Sequence, residues 1–202
     1  MTSNIVRVFD FDGTITSKDS LLGLISYAFG RPKMILCMLL YSPLLFMMKI
    51  GKYPNGMAKQ HIFSHFFKGI SEHHFISLCK QYAESDKNIL RSDIISIVNK
   101  ALQDGEKVVI VSASADYWIV PFLSLEPFSH DASEKITIIS TQLEVKDGKL
   151  TGQFASKNCS REEKVLRLCS MFPNLESYRV VAYGDSKGDK EMLEYSDEPH
   201  WV

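Results

Sequence analysis

The sequence lacks a marked charge excess of either sign: over 202 residues its formal net charge is −1. Because nucleic-acid-binding surfaces are usually strongly basic, this near-neutrality gives no indication of a nucleic-acid partner. Cysteine is also scarce, and the four cysteines form no C-x-x-C pair. That scarcity favours reduced thiols over a disulfide framework or a zinc site. Since the opening residues show no signal-peptide pattern, we expect a cytoplasmic protein.

A long hydrophobic run is missing as well. The most apolar stretch, residues 34–48, carries no charged residue over its fifteen positions. It falls short of the roughly 20 residues that a bilayer-spanning helix needs, and Pro43 interrupts it. We favour a buried helix or helix pair for this stretch, with contact to a membrane surface or a lipid as the alternative.

What the sequence does contain is enough apolar material for a full core, 45% of its residues. Its length suits one domain, or one domain with an insertion. Short β-branched runs predict strands, and they alternate with helical patterns. Such alternation is typical of an α/β fold with a parallel sheet and right-handed crossovers. The predicted strands are residues 5–9, 107–111, 136–140 and 180–183, and Asp147-Gly148 predicts a hairpin turn.

The first two predicted strands are separated by a long, largely helical segment. Its helical patterns lie at residues 57–67, 71–84 and 89–103. We therefore expect two parts. Residues 1–16 and 105–202 would form the α/β core, and residues 17–104 would form a helical insertion.

Asp10 and Asp12 follow the first predicted strand directly, within the segment Asp10-Phe11-Asp12-Gly13-Thr14. Open α/β sheets bind ligands at the carboxyl ends of their strands, so both carboxylates are expected at such a site. Two carboxylates gathered at a tight turn need a cation, or one of them must stay protonated. The alternative is an ordinary solvated turn, because Asp and Gly are common in turns.

Polar residues also follow other predicted strands. Ser112 comes after the second strand, Asp185 and Asp189 come after the last, and Lys164 lies in the first turn of a predicted helix. Carboxylates such as Asp10 and Asp185 suit Mg²⁺, whereas Ser112, backbone N–H groups and Lys164 suit phosphate oxygens. The set indicates phosphoryl transfer. Taken singly, Lys164 could be a solvated lysine, Ser112 a strand-end hydrogen bonder and Asp189 a helix cap.

Four segments combine into a recognisable pattern that spans nearly the whole chain. They are Asp10-Phe11-Asp12-Gly13-Thr14, Val111-Ser112-Ala113-Ser114, Asn158-Cys159 with Glu163-Lys164-Val165, and Gly184-Asp185-Ser186 with Asp189 and Met192-Leu193. In this order they resemble the haloacid dehalogenase-like phosphatases, and within them the subgroup of phosphoserine phosphatase. The resemblance implies a Rossmann-like, doubly wound parallel sheet as the core. It also implies that the helical insertion is a cap domain that closes over the site.

The resemblance further implies a role for each matched residue. Asp10 would be the nucleophile that forms an aspartyl-phosphate, and Asp12 would be the general acid and base. Asp10, Asp12 (through its backbone carbonyl) and Asp185 would bind Mg²⁺. Phosphate would be bound by Ser112, Lys164 and the N–H groups of Gly13 and Ala113, with Thr14 and Asp189 in supporting positions.

The substrate is less well defined by this pattern. Phosphoserine phosphatases carry an acidic loop residue and a cap arginine that hold the charged groups of the amino acid. Here Asp19 occupies the loop position, and no arginine lies between Arg31 and Arg91. Lysine does not replace arginine where a carboxylate needs a bidentate partner, so phosphoserine itself is disfavoured. We expect a Mg²⁺-dependent phosphatase acting on a small phosphorylated metabolite, with Asp19 as a candidate specificity residue.

Three alternatives stay open. The apolar stretch at residues 34–48 would suit a membrane-associated lipid phosphatase of the phosphatidylglycerophosphate type. An aspartyl-phosphate can also be passed to an alcohol instead of water, which would make the protein a phosphotransferase. A non-catalytic module that binds phosphorylated ligands is disfavoured by the intact set of Asp10, Asp12, Ser112, Lys164 and Asp185. The sequence gives no indication of the oligomeric state.

Overall fold

The structure, a computed structural model, describes residues 4–202. Its centre is a parallel sheet of five strands. They are β1 (Ile5–Phe9), β2 (Lys107–Ser112), β3 (Thr137–Ser140), β6 (Arg179–Gly184) and β7 (Glu198–Trp201), in the order β3-β2-β1-β6-β7. All four predicted strands are present. The sequence did not predict β7, because its four residues include a proline and no apolar run, and only pairing with β6 defines it.

Helices fill the connections between the strands. Those before β2 are α1 (Ser20–Phe29), α2 (Arg31–Leu40), α3 (Ser42–Lys49), α4 (Asn55–Phe67), α5 (Glu72–Ser85) and α6 (Ser92–Gln103), with a 3₁₀ turn at Lys87–Ile89. Those after β2 are α7 (Asp116–Leu123), α8 (Ala132–Lys135), α9 (Glu162–Met171) and α10 (Lys190–Tyr195), with a 3₁₀ turn at Leu175–Ser177.

Both faces of the sheet are buried, which explains why its strands are almost continuously apolar. On one face, Val6 and Val8 of β1 pack in a cluster with Leu168 of α9 and Met192 of α10. On the other face, Phe9 belongs to a larger cluster that includes residues of α6 and α7. Helices therefore cover the sheet on both sides, and the predicted fold class, a doubly wound Rossmann-like α/β fold with a helical insertion, is confirmed.

The helical insertion shares one apolar core with the sheet. Phe63 of α4 and Phe75 of α5 lie 6.2 and 6.4 Å, ring centroid to ring centroid, from Trp118 of α7. All three rings are fully or almost fully buried. Burying such large rings is among the strongest apolar contributions to stability that a side chain can make, so the insertion is held firmly against α7.

The predicted hairpin forms at the expected turn and contacts the insertion. It consists of β4 (Leu143–Lys146) and β5 (Lys149–Phe154), and both Asp147 and Gly148 have positive φ, as a two-residue primed turn requires. The N–H of Gly69, just after α4, donates to the Leu150 carbonyl at 2.8 Å. The hairpin therefore links the core segment to the insertion.

The apolar stretch at residues 34–48 forms a helix pair, α2 and α3, but the prediction that it is buried is wrong. Cys37 is the one buried residue of α2, and α3 has none. The pair contacts the rest of the protein along one side, through residues such as Met38 and Leu45. Both helices carry apolar side chains on all sides, so the apolar side chains on the opposite side are exposed. Within residues 4–202 no single helix is long and apolar enough to cross a membrane; α2 and α3 meet that criterion only as a pair bent by 63°.

Candidate active site

The candidate site lies where three neighbouring strands end. Asp10 directly follows β1, and its N–H donates to the carbonyl of Tyr183 in β6 at 3.0 Å. Ser112 is the last residue of β2, and Asp185 follows β6. Since β1, β2 and β6 are parallel, their carboxyl ends meet at one edge of the sheet, and the side chains that follow them converge there.

Lys164 connects α9 to this edge. Its Nζ lies 2.5 Å from Oδ1 of Asp10 and 2.6 Å from Oδ1 of Asp189. The lysine is only 1% exposed, because the apolar side of α9 packs on the sheet and draws the first helical turn inward. Burial by itself lowers the pKa of Lys164, but the charges of Asp10 and Asp189 outweigh it and raise the pKa to about 12. The ammonium group is therefore charged at neutral pH.

The carboxyl group of Asp10 is also perturbed by its surroundings. It is 6% exposed, and burial raises its pKa to about 7. The neighbouring Lys164 opposes that shift, whereas the charge of Asp189 adds to it. A further cation near such a buried carboxyl group would stabilise its ionised form.

The arrangement of carboxylates fits a divalent cation. Asp10, Asp185 and Asp189 each offer an oxygen atom, and these atoms lie within 4.8 Å of one another. Burial and the charge of Asp189 also raise the pKa of Asp185. Lys164 supplies one positive charge to a group of three carboxylates. Such an all-oxygen set, short of positive charge, suits Mg²⁺.

Gly13 keeps the space beside this cluster open. A Cβ atom at this position would lie 2.1 Å from Oδ2 of Asp185, and the glycine has φ +84°. Both the close approach and the left-handed backbone exclude other residues. The glycine of the Asp-x-Asp-Gly segment is thus required by the position of Asp185, which lies far away in sequence.

Asp12 is oriented by two serines that the sequence reasoning missed as functional partners. The backbone N–H of Ser20, at the start of α1, donates to Oδ1 of Asp12 at 2.7 Å. The hydroxyl of Ser114 donates to Oδ2. Ser114 also donates its N–H to the Ser112 hydroxyl at 3.1 Å. Ser114 lies within the matched segment after β2, so its position was available from the sequence, but its contact with Asp12 was not.

A cavity of about 550 Å³ opens in front of these residues. All but one of the predicted site residues line it: Asp10, Asp12, Gly13, Asp19, Ser112, Ala113, Lys164, Asp185 and Asp189. The exception is Thr14, which is fully buried and whose hydroxyl has no hydrogen-bond partner among the described residues. Asp19 also has a structural task, since its carboxylate accepts from Leu22 N at 2.9 Å and caps α1.

Basic residues surround the cavity, and two of them, Lys18 and Lys59, come from the insertion. Lys59 of α4 lines the cavity, and its Nζ lies 3.0 Å from the Ala113 carbonyl and 3.3 Å from the Ser114 hydroxyl. Its place in the sequence, within the predicted insertion, gave no indication of these contacts. Lys18, Arg161 and Lys187 line the same cavity. This distribution of cations suits an anionic ligand such as a phosphate ester.

A nucleophilic carboxylate candidate, a paired buried lysine and an acidic cluster at the carboxyl edge of a Rossmann-like sheet define a hydrolase of the phosphoryl-transfer type. A sequence model of the haloacid dehalogenase-like hydrolase family matches residues 8–194. The chain therefore belongs to the haloacid dehalogenase-like hydrolase family.

Individual relatives agree with this assignment. Protein CicA of Caulobacter vibrioides is 32% identical over 197 residues, which cover 96% of this chain and 84% of CicA. Among solved structures, a protein of unknown function from Bordetella pertussis Tohama I has a TM-score of 0.79 at 18% identity and covers 98% of this chain and 89% of its own. A phosphoserine phosphatase holding a phospho-aspartyl intermediate analogue has a TM-score of 0.63 at 19% identity, with coverages of 97% and 84%.

The family match bears out the predicted family and an enzyme of the hydrolase class, and the shared fold bears out the fold class and its likeness to phosphoserine phosphatases. The solved structures share less than 20% of their residues with this chain and support the fold alone. The roles of individual residues, the metal and the substrate are therefore taken up as proposals.

Proposed function

We propose that this protein is a Mg²⁺-dependent phosphomonoesterase that works through an aspartyl-phosphate on Asp10. The observation that carries the proposal is the position of Asp10. Its carboxylate is paired with the buried Lys164 at 2.5 Å and lies in the wall of a cavity lined by serine, backbone and lysine donors. A buried, paired carboxylate in a cavity with room for a phosphate ester is arranged for nucleophilic attack on phosphorus.

In the first step, a carboxylate oxygen of Asp10 forms a bond to phosphorus and the ester P–O bond breaks. Asp12 transfers a proton to the leaving alkoxide, which departs as an alcohol. In the second step, Asp12 accepts a proton from water as the water oxygen attacks phosphorus, and the Asp10–phosphate bond breaks to release inorganic phosphate. The contacts of Asp12 with Ser20 and Ser114 hold its carboxyl in place for both proton transfers.

The phosphate would be bound by cationic and N–H donors. Lys164, the Ser112 hydroxyl and the N–H groups of Gly13 and Ala113 would donate hydrogen bonds to the phosphate oxygens. For Mg²⁺, we propose Asp10 and Asp185 with the Asp12 carbonyl as ligands. When bound, the ion would add the positive charge that the acidic cluster lacks. Asp189 contacts Lys164 and Thr14 is buried behind the site, so we assign both a supporting role.

The insertion is proposed to act as the cap that selects the substrate. We propose residues 1–16 and 105–202 as the core and 17–104 as the cap, although α6 at the end of the latter packs against β2 and α8. Lys59 and Asp19 line the cavity from the cap side. A small phosphorylated metabolite would match these side chains. The four cysteines are unpaired, which supports the cytoplasmic location that we propose.

The test measures inorganic phosphate released from a panel of phosphomonoesters, with Mg²⁺ and with chelator, for the wild type and for Asp10→Asn. Asp131→Asn, a change at an exposed ion pair with Lys135 outside the cavity, is the matched control. We expect Mg²⁺-dependent turnover in the wild type and the control and none in Asp10→Asn. Full turnover in chelator, or in Asp10→Asn, would contradict the proposal.

The same assay with an added alcohol tests the phosphotransferase alternative. Transfer of phosphate to the alcohol instead of water would favour it.

A further inference from the structure

The most unusual surface of the protein is the outer side of α2 and α3. Within residues 4–202 sixteen large apolar side chains are exposed, and seven of them lie between residues 35 and 50. Leu36 and Leu39 are 67% and 65% exposed. We call this set the helix-pair surface; its members are Ile35, Leu36, Leu39, Leu40, Phe46, Met47 and Ile50. An apolar patch of this extent on a protein surface usually marks an interaction site.

The segment of the sequence that contains α2 and α3 carries charge of one sign. From Ser20 to Ser71 the chain contains no Asp or Glu but six Lys or Arg residues. Four of the six are exposed and flank the two helices: Arg31 and Lys33 at the start of α2, and Lys49 and Lys52 at and after the end of α3. Apolar side chains framed by basic ones are typical of helices that lie in the interface of an anionic membrane.

The geometry of the pair suits lying on a membrane better than crossing one. α2 has ten residues and α3 has eight, and the two are bent by 63°. A second copy of the chain is a poorer fit, because a two-fold contact would bring the same basic residues of both copies together. An anionic lipid surface, in contrast, matches both the apolar side chains and the charge.

A groove extends from the active-site cavity to the start of α2, which lies next to the helix-pair surface in sequence. This groove, of about 350 Å³, is lined by Lys18 and Asp19, which also line the active-site cavity. Arg31 and Met34 at the start of α2 also line it, as does Asp86. A ligand whose polar head reaches the cavity could therefore keep its apolar part at the helix pair.

We propose that α2 and α3 dock on an anionic membrane surface and present the active site to phosphomonoesters whose apolar part stays in the lipid. The presentation of substrate to the active site rests on the proposed function, whereas membrane docking does not. Docking depends on the helix-pair surface and not on Asp10. The two halves can therefore fail separately.

Docking is tested by co-sedimentation of the full chain with vesicles of phosphatidylcholine alone and of phosphatidylcholine with phosphatidylglycerol. We expect binding to the anionic vesicles, weakened by salt. The double variant Leu36→Glu with Leu39→Glu should lower the partition coefficient at least tenfold. Lys49→Glu with Lys52→Glu should remove the preference for anionic lipid. The matched control is Leu166→Glu on α9, a leucine 63% exposed but remote in sequence from the pair, which should bind as the wild type does.

Substrate presentation is tested by phosphate release from phosphatidic acid in anionic vesicles and from a soluble aryl phosphate. The double leucine variant should lose at least tenfold on the vesicle substrate and keep the activity on the soluble one. Asp10→Asn should bind vesicles as the wild type does and release no phosphate. Vesicle binding without phosphatase activity on either substrate would overturn the proposed function and leave docking intact.

Other outcomes would overturn the docking proposal. They are a wild type that binds neither vesicle, a Leu166→Glu control that loses binding as much as the double leucine variant, and a double variant that still binds. Sedimentation velocity without lipid tests whether the protein forms a dimer through the helix-pair surface. A stable dimer that the double leucine variant abolishes would show that a second copy covers the helix-pair surface instead. Because the substituted leucines and lysines are all exposed, the circular dichroism spectra of those variants are expected to match that of the wild type.

Discussion

Nζ of Lys164 lies between the carboxylates of Asp10 and Asp189, 2.5 and 2.6 Å from them, with all three groups almost completely buried. The three residues come from different parts of the chain: the end of β1, the first turn of α9 and the start of α10. A buried ion pair adds little net stability, but removing one partner leaves an uncompensated charge.

We therefore expect Lys164→Met to destabilise the protein by about 3–5 kcal/mol, measured by urea unfolding in chelator at neutral pH. The same variant should have no measurable phosphatase activity. Lys135→Met is the control, since Lys135 forms an exposed pair with Asp131 and its loss should cost at most about 1 kcal/mol. Equal stability of the two variants would show that the buried charges are compensated in another way.

The raised pKa of Asp10 predicts a pH-dependent stability in the absence of metal. The pKa rises from 3.8 to about 7 on folding, so between these values the folded state binds more protons than the unfolded state. The free energy of unfolding should then fall as pH rises from 4 to 7, by up to about 4 kcal/mol from this group. Urea unfolding of the wild type in chelator across this range measures the slope.

The comparison protein for this measurement is Asp10→Asn, in which the contribution should be absent and the slope correspondingly smaller. Mg²⁺ added at pH 7 should stabilise the wild type, because the cation favours the ionised carboxylate, and should stabilise Asp10→Asn much less. Parallel pH profiles for the two proteins would contradict the assignment of the pKa shift to Asp10.

Gly13→Ala tests the close approach of Gly13 to Asp185. The new Cβ would lie 2.1 Å from Oδ2 of Asp185, so the carboxylate must move away from the acidic cluster. We expect Mg²⁺ affinity, measured by calorimetry, and kcat each to fall at least tenfold. Gly105→Ala is the control: its φ is also positive, at +72°, but a Cβ there meets no atom within 4 Å. That variant should lose stability, by roughly 1 kcal/mol, without losing metal binding.

Ser114→Ala tests the positioning of Asp12. The substitution removes the hydroxyl donor to Oδ2 of Asp12 and keeps the Ser20 N–H contact with Oδ1. We expect kcat to fall roughly tenfold to a hundredfold with a smaller change in KM, because proton transfer needs correct geometry. The pH–rate profile should shift, which a purely structural effect would not produce. The control is Ser177→Ala, an exposed serine that donates to the Asn174 carbonyl and should leave kcat unchanged.

The part of the site that lies at the sheet edge could be predicted from the sequence, because the arrangement of parallel strands follows one general rule. Parallel strands end at one edge of their sheet, so polar residues that follow separate strands must meet. Asp10, Ser112 and Asp185 were assigned to one site on that basis, and all three line one cavity. Apolar runs identified the strands themselves, since both sheet faces are covered and each strand is apolar throughout.

Other contacts depend on how distant elements pack, and no local pattern encodes them. The sequence places Lys59 in a helix of the insertion, but its contact with the Ala113 carbonyl exists because α4 is held against the core by buried aromatic rings. Ser114 and Asp12 are 102 residues apart, and β7 is defined only by its pairing with β6.

The stretch at residues 34–48 shows which properties the sequence determined and which depended on tertiary packing. The sequence by itself determined that it is apolar, too short to span a bilayer and broken by Pro43. Whether such residues are buried depends on how many sides of a helix find partners. Here α2 and α3 find partners on one side only, so tertiary packing turned an expected core element into an exposed apolar surface.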